Sequence, residues 1–190
     1  MPRRNVRKLA LRPPLPRRGI VWFPAFPVAS NIESFRSAHD PLALKIPAHL
    51  TLVFPFPCTL TATQIASHTR RIVAKWPPLP VVFRDVESLL DEFVLLMARE
   101  RAEALTALHD ELYTGVLRNF LRREIVYNPH ITIARARSRE FFPDILQQAE
   151  TLFSNGRGVE WRIIMRELAV VTWHTDGKIT VDAIVPLHTN

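Results

Sequence analysis

Cysteine and glycine are scarce in this sequence. The 190-residue chain has one cysteine, Cys58, and five glycines. A single cysteine excludes a disulfide framework within the chain and leaves no Cys-built zinc site. With so few glycines and no Gly-rich loop, a P-loop cradle for nucleoside triphosphates is not expected. No apolar run approaches the roughly 20 residues that cross a bilayer, and no segment has the long apolar core of a secretory signal. His39, His68, His109, His174 and His188 show neither HxH nor HExxH spacing. They read as surface or capping residues, and no metal site is expected. These absences point to a cytoplasmic protein that needs no cofactor, no membrane and no obligate protein partner.

Acidic residues are also missing from the first 18 positions. That segment holds Arg3, Arg4, Arg7, Lys8, Arg12, Arg17 and Arg18, and the formal net charge of the whole chain is +7. The remainder has 18 basic and 18 acidic residues, so the excess charge belongs to the segment and not to the body. Pro2, Pro13, Pro14 and Pro16 argue against helix or strand there. Residues 1–18 are therefore expected to be a disordered tail, read either as a plain leader or as an arm that attracts RNA phosphates. Residues 19–190 are expected to form one two-lobed domain.

Within the body, apolar and β-prone runs alternate with helical spacing. Ile20 to Phe26, His49 to Phe54, Val81 to Val86, Phe93 to Ala98, His130 to Ala134, Trp161 to Trp173 and Ile179 to Pro186 read as strands. Ser30, with Glu33 three residues on, predicts a capped helix ending before Asp40-Pro41. Thr61 to Trp76, Arg101 to Leu117 and Pro143 to Phe153 carry helical periodicity, the last stopping near Asn155-Gly156. Asp176-Gly177 signals a hairpin. The order suggests an α+β fold with a rough internal duplication. Two mainly antiparallel sheets would flank a central cleft, with helices outside and lobes meeting near residues 95–100.

The chemistry sits in two short segments, His49-Leu50-Thr51-Leu52 and His130-Ile131-Thr132-Ile133. Strand side chains alternate faces, so His and Thr at i and i+2 point the same way, about 7 Å apart. Leu50, Leu52, Ile131 and Ile133 point to the opposite face and can bury. Two such strands side by side would bring two imidazoles and two hydroxyls into one cleft. A phosphodiester needs that set. One neutral imidazole takes a proton, and one imidazolium gives a proton to the leaving oxygen. Thr51 and Thr132 can donate hydrogen bonds to the nonbridging oxygens. One such motif alone reads as a polar residue on a half-buried strand; the pair, with four apolar flanking positions, reads as a catalytic constellation.

The stretches IPAHLTLVFPF (Ile46 to Phe56) and YNPHITIARA (Tyr127 to Ala136) resemble the 2H phosphoesterase superfamily, named for its two H-x-[ST] motifs. Within it, the bacterial 2′-5′ RNA ligase and cyclic phosphodiesterase group is the most similar, and the Asp40-Pro41 step also looks like that group. The resemblance covers about residues 19–187. It implies a bilobal fold with a central cleft, His49 and His130 as the acid–base pair, and Thr51 and Thr132 as phosphate binders. It implies hydrolysis of a 2′,3′-cyclic phosphate, typically to a 2′-phosphate, or cleavage or joining of 2′-5′ RNA linkages, without choosing among nucleotide cyclic phosphates, ADP-ribose cyclic phosphate and RNA ends. The alternative is a non-catalytic RNA-end or nucleotide-binding protein that uses the same cleft.

Further substrate contacts are weaker candidates. Tyr127, Phe56 and Trp173 could stack a base, although core or rim packing is the simpler reading. Lys45 could reach a phosphate. Arg135, Arg137 and Arg139 have the opposite parity to His130 and Thr132, so Arg135 reaches the cleft only if the chain bends after Ala134. Cys58 reads as a packing residue.

Overall fold

The structure, a computed structural model, describes residues 15–153 and 160–188. Residues 1–14, most of the basic segment, lie outside the described residues, as does the helix stop predicted at Asn155-Gly156. Eight strands are present among the described residues: β1 (Arg17–Trp22), β2 (Leu50–Pro57), β3 (Leu79–Leu89), β4 (Phe93–Glu100), β5 (His130–Arg135), β6 (Trp161–Met165), β7 (Glu167–Trp173) and β8 (Ile179–Pro186). Four helices accompany them: α1 (Ile32–His39), α2 (Ala62–Val73), α3 (Ala102–Leu112) and α4 (Phe142–Phe153).

The α+β class is as the sequence predicts, but the sheets are not two. All eight strands join one sheet in the order β6-β3-β4-β5-β2-β1-β7-β8, and its pairs are antiparallel. The join at the middle is narrow. β2 and β5 share a single paired position, Leu50 against Ile131, and then part. Residues 95–100, the expected meeting point of two lobes, lie inside β4 and are paired to β3 on one side and β5 on the other. The line where the two four-stranded halves meet is the β2–β5 seam.

The helices all cover one face. Leu50, Leu52, Ile131 and Ile133 are fully buried there with Ile32 and Phe35 of α1, Ile65 of α2, Leu105 and Leu108 of α3, and Ala149 and Phe153 of α4. Burying each large aliphatic side chain contributes about 1.5–3 kcal/mol. Those four residues therefore pin both motif strands with their histidines and threonines turned to the open face.

Local chemistry sets several boundaries. Thr61 and Gln64 cap α2 reciprocally: Thr61 Oγ1 accepts from the Gln64 backbone N–H, and Gln64 Oε1 accepts from the Thr61 backbone N–H. Ser30, the predicted cap of α1, stands one residue ahead of the cap position, where its hydroxyl accepts from the Ile32 backbone N–H at 3.4 Å. The cap position is Asn31, in the left-handed region at φ 59°, which Asn tolerates. Glu33 is drawn elsewhere, accepting from the Ala48 backbone N–H and pairing with Arg36. The predicted boundary after residue 18 also moves. Arg17 and Arg18 open β1, and their guanidiniums donate to the carbonyls of Pro55 and Leu60. Gly19 then has to be glycine, because a Cβ there would sit 2.5 Å from the Val53 carbonyl and 3.0 Å from the Trp173 ring.

Candidate active site

His49 immediately precedes β2, and His130 is the first residue of β5. Leu50 and Ile131 are opposite one another and face the core. Extending that register one residue each way sets His49 beside Thr132 and Thr51 beside His130. Directly opposite residues of an antiparallel pair have Cβ atoms roughly 4.5–5.5 Å apart, and diagonal ones are somewhat farther. On that extended register the two imidazoles fall on one diagonal and the two hydroxyls on the other, and His49 and His130 are close enough to interact electrostatically. All four side chains are half-buried.

Each ring is held by the same local device. His49 Nδ1 lies 2.8 Å from the Pro47 carbonyl, and His130 Nδ1 lies 2.6 Å from the Asn128 carbonyl. A carbonyl only accepts, so Nδ1 of each ring carries the hydrogen and donates it. Nε2 of each ring is then free to exchange a proton with a ligand. Burial pushes the His49 imidazole down to about 4; the Pro47 carbonyl opposes this, Arg36 and His130 reinforce it, and Asp40 opposes it. Burial also lowers His130, against the opposing pull of the Asn128 carbonyl and the Glu87 carboxylate. Without a ligand, both rings are neutral at pH 7.

α1 supports His49 from beneath. Arg36 is 1% exposed. Its guanidinium donates to Asp40 at 2.9 Å, to Glu33 at 3.0 Å and to the Ile46 carbonyl at 3.0 Å. Glu33 accepts from the Ala48 N–H at 2.8 Å. Ile46 and Ala48, on either side of Pro47, are thus tied to one turn of helix by charge-assisted bonds. Asp40 also accepts from the Leu42 N–H, which explains the Asp40-Pro41 step as a helix end that starts a tight turn. Arg36 stands three residues after Glu33 and four before Asp40, a spacing visible in the sequence as two helical charge pairs.

A wedge of aromatic rings supports β2 where it has parted from β5. Tyr127 donates its hydroxyl to the Thr51 carbonyl at 3.0 Å and stacks on His109 at 3.8 Å between centroids. His109 Nδ1 donates to the Leu52 carbonyl at 2.7 Å, and the Tyr113 hydroxyl accepts from the Phe54 N–H at 2.9 Å. β2 backbone groups without a strand partner find side-chain partners instead. His109 and His68 are each 3% exposed, which corrects their reading as surface residues. The signal was present: each falls in an i, i+3, i+4, i+7 stripe, Leu105–Leu108–His109–Leu112 and Ile65–His68–Thr69–Ile72.

The remaining sequence candidates divide. Tyr127 lines a groove of about 620 Å³ that also contains His130 and Thr132. Phe56 does not reach the site; it is core and stacks on Phe120 at 4.1 Å. Trp173 packs over Gly19, four residues along β7 from Ala169, which shares a row with Val21 and Thr51. That is roughly 13 Å along the strand from the hydroxyl. Lys45 donates to the Asp176 carbonyl at 2.6 Å, which ties it to the β7–β8 turn. Arg135 departs from the parity argument. The β4–β5 register pairs Leu95 with Thr132 but Val94 with Ala134, so Ile133 is an inserted residue. The bulge turns Arg135 to the face of Thr132, where it lies over Phe93 at 4.9 Å and donates to Glu92 at 2.7 Å.

The same architecture occurs in proteins of known structure. The Escherichia coli LigT crystal structure in apo form superposes with a TM-score of 0.60 at 17% identity, covering 92% of this chain and 98% of that one. LigT has also been crystallised with 3′-AMP, a match with a TM-score of 0.56 at 16% identity over 92% of this chain and 99% of LigT. In sequence, the protein named “Putative phosphoesterase GK0864” of Geobacillus kaustophilus is 30% identical over 132 residues, 68% of this chain and 75% of its own length. A “Putative phosphoesterase” of Bacillus licheniformis is 31% identical over 130 residues, 67% of this chain and 76% of its own. These relatives point to a phosphoesterase-type function. A family model matches residues 24–177, a span that contains both histidine strands and the α1 support, and on that match the chain belongs to the 2′-5′ RNA ligase superfamily, the 2H phosphoesterases.

Proposed function

We propose that the chain is a metal-independent phosphodiesterase that hydrolyses nucleotide or RNA-end 2′,3′-cyclic phosphates, or 2′-5′ linkages, by acid–base catalysis from His49 and His130. The observation that carries this reading is the matched pair of Nδ1–H bonds to Pro47 and Asn128, which leaves an Nε2 on each of two paired strands for one anion.

The reaction follows from the proton count. A cyclic phosphate enters as a monoanion between two neutral rings. Its charge favours the imidazolium, so one ring takes up a proton on binding. Glu87 favours His130 as that ring, while Arg36 disfavours His49. Neutral His49 then accepts the proton of an attacking water at Nε2 as the oxygen bonds to phosphorus. The P–O bond to the 3′-oxygen breaks, and His130 donates its proton to that oxygen. The product is a 2′-phosphate, and solvent restores the starting protonation. Thr51 and Thr132 donate to the nonbridging oxygens as their charge grows. E. coli LigT, which shares the fold, accommodates a nucleotide monophosphate.

The test is turnover of nucleoside 2′,3′-cyclic phosphates in excess EDTA. We expect activity to survive the chelator and to show a bell-shaped pH profile, because one ring must be neutral and the other charged. Nucleotide binding with no product from any cyclic phosphate or 2′-5′ dinucleotide would favour a binding module instead.

A further inference from the structure

The groove beside His130 is not symmetric about the histidine pair. It runs across the β3–β4 half of the sheet. Its walls are Phe54, Leu89, Phe93, Leu95, Val126 and Tyr127, with Glu87, Ser88 and Asn128 among them. No lysine or arginine lines it, and its ionisable groups are Glu87, Tyr127 and His130. The nearest cations, Arg135 over Phe93 and Arg99 beside Glu87, are already paired with Glu92 and with Glu87 and Asp85, so a second phosphate would find no unpaired cation among those two. An uncharged planar group would find aromatic walls and one carboxylate.

The sheet register fixes where that carboxylate stands. Glu87 of β3 is opposite Leu95 of β4, and Leu95 is opposite Thr132 of β5. Glu87, Leu95 and Thr132 therefore form one row on the open face. Two strand spacings, roughly 10 Å, separate Glu87 from the phosphate-binding hydroxyl. That is the reach of one nucleoside, from its 2′,3′-phosphate to the far edge of its base. Glu87 is held in place by Arg99, which donates to one of its oxygens at 2.7 Å and to Asp85 at 2.8 Å. The groove volume of about 620 Å³ suits one nucleoside, within the roughly 300–1,000 Å³ of small-molecule sites.

We propose that this groove seats the single nucleoside that carries the cyclic phosphate, and that Glu87 reads its base. A carboxylate accepts paired N–H donors, and guanine presents two adjacent donors, N1–H and the 2-amino group, on its Watson–Crick edge. The preferred substrate is guanosine 2′,3′-cyclic phosphate. Uridine ranks lower because it offers one donor beside acceptors, and a cyclic phosphate without a base ranks last. The proposal rests on the phosphodiesterase reading above and narrows it to a substrate.

Three substrates test it: guanosine 2′,3′-cyclic phosphate, uridine 2′,3′-cyclic phosphate and glycerol 1,2-cyclic phosphate. Expected kcat/KM values fall in that order, by at least about tenfold at each step, on the scale of base stacking and of a charged hydrogen bond. Glu87→Gln should bring guanosine within about threefold of uridine, since an amide offers one acceptor in place of a carboxylate's charge. If Glu87 acts only through the charge on His130, all three substrates slow together and the guanosine-to-uridine ratio stays put; that result overturns the base-reading role. Equal turnover of the glycerol and nucleoside substrates overturns the nucleoside seat while leaving the phosphodiesterase reading intact. No turnover of any of the three overturns this substrate assignment, and only a further failure on a 2′-5′ dinucleotide removes the phosphodiesterase reading itself.

Discussion

The two motif strands carry the same histidine–threonine pair and the same Nδ1 anchor, yet their surroundings differ in charge and in what holds them. His49 is anchored from the core side by a buried ionic cluster on α1, and its neighbour on the open face is Phe23, 6.2 Å away between ring centroids. His130 is anchored by a loop that leads into Tyr127, and a carboxylate stands near it. The strands provide equal geometry, and the flanking elements make the rings unequal. A site that must hold one neutral and one charged imidazole needs that inequality.

Four changes probe the difference, in falling order of effect. His49→Ala and His130→Ala should each lower kcat/KM by about 10²–10⁴-fold, the range for acid–base groups. The double variant should be little worse than either single one, because the rings act as a unit; additive losses measured by steady-state kinetics would separate their roles. Arg36→Met comes next. It strands Asp40, 8% exposed, without its cation, and breaking such a buried pair costs about 3–5 kcal/mol. Urea denaturation measures that cost, whereas the more exposed Arg99–Glu87 pair, lost in Arg99→Met, should cost under about 1 kcal/mol. A wild-type midpoint in Arg36→Met would remove α1 from the account.

Thr51→Val and Thr132→Val should follow at about 10- to 10²-fold each in kcat/KM, the worth of a hydrogen bond to a charged group. Smallest is the pH effect on anion affinity. Both free rings sit below their ordinary range, and His49 sits at about 4. A bound anion raises them, so binding takes up a proton. Sulfate keeps its charge between pH 5 and 7, and its affinity measured by calorimetry should rise as pH falls across that interval. A flat profile would mean that the anion binds away from the rings.

The motif strands were legible because alternation is local. His, Thr and their apolar neighbours announce one wet face and one buried face within four residues. The hairpin at Asp176-Gly177 was legible for the same reason. The joining of the sheets was not, because one paired position at Leu50 and Ile131 leaves no local mark. Nor was the side of the sheet that Arg135 takes: a single inserted residue, Ile133, reverses parity, and nothing in ITIAR distinguishes a bulge from a regular strand. Glu33 looked like a capping partner for Ser30 because the sequence cannot show that the Ala48 N–H, fifteen residues on, competes for it. His109 and His68 lie inside, at 3% exposure each, because their helical stripes face the core and carbonyls there accept from their rings.

The central claim is that both imidazoles turn Nε2 toward one phosphate. ¹⁵N NMR of the histidine side chains, during titration with a nucleoside 2′-monophosphate, addresses it directly. The account predicts that Nε2 of His49 and Nε2 of His130 shift along one saturation curve at one ligand per chain, while both Nδ1 sites stay protonated. A response from one ring alone, or two curves with different midpoints, would contradict it.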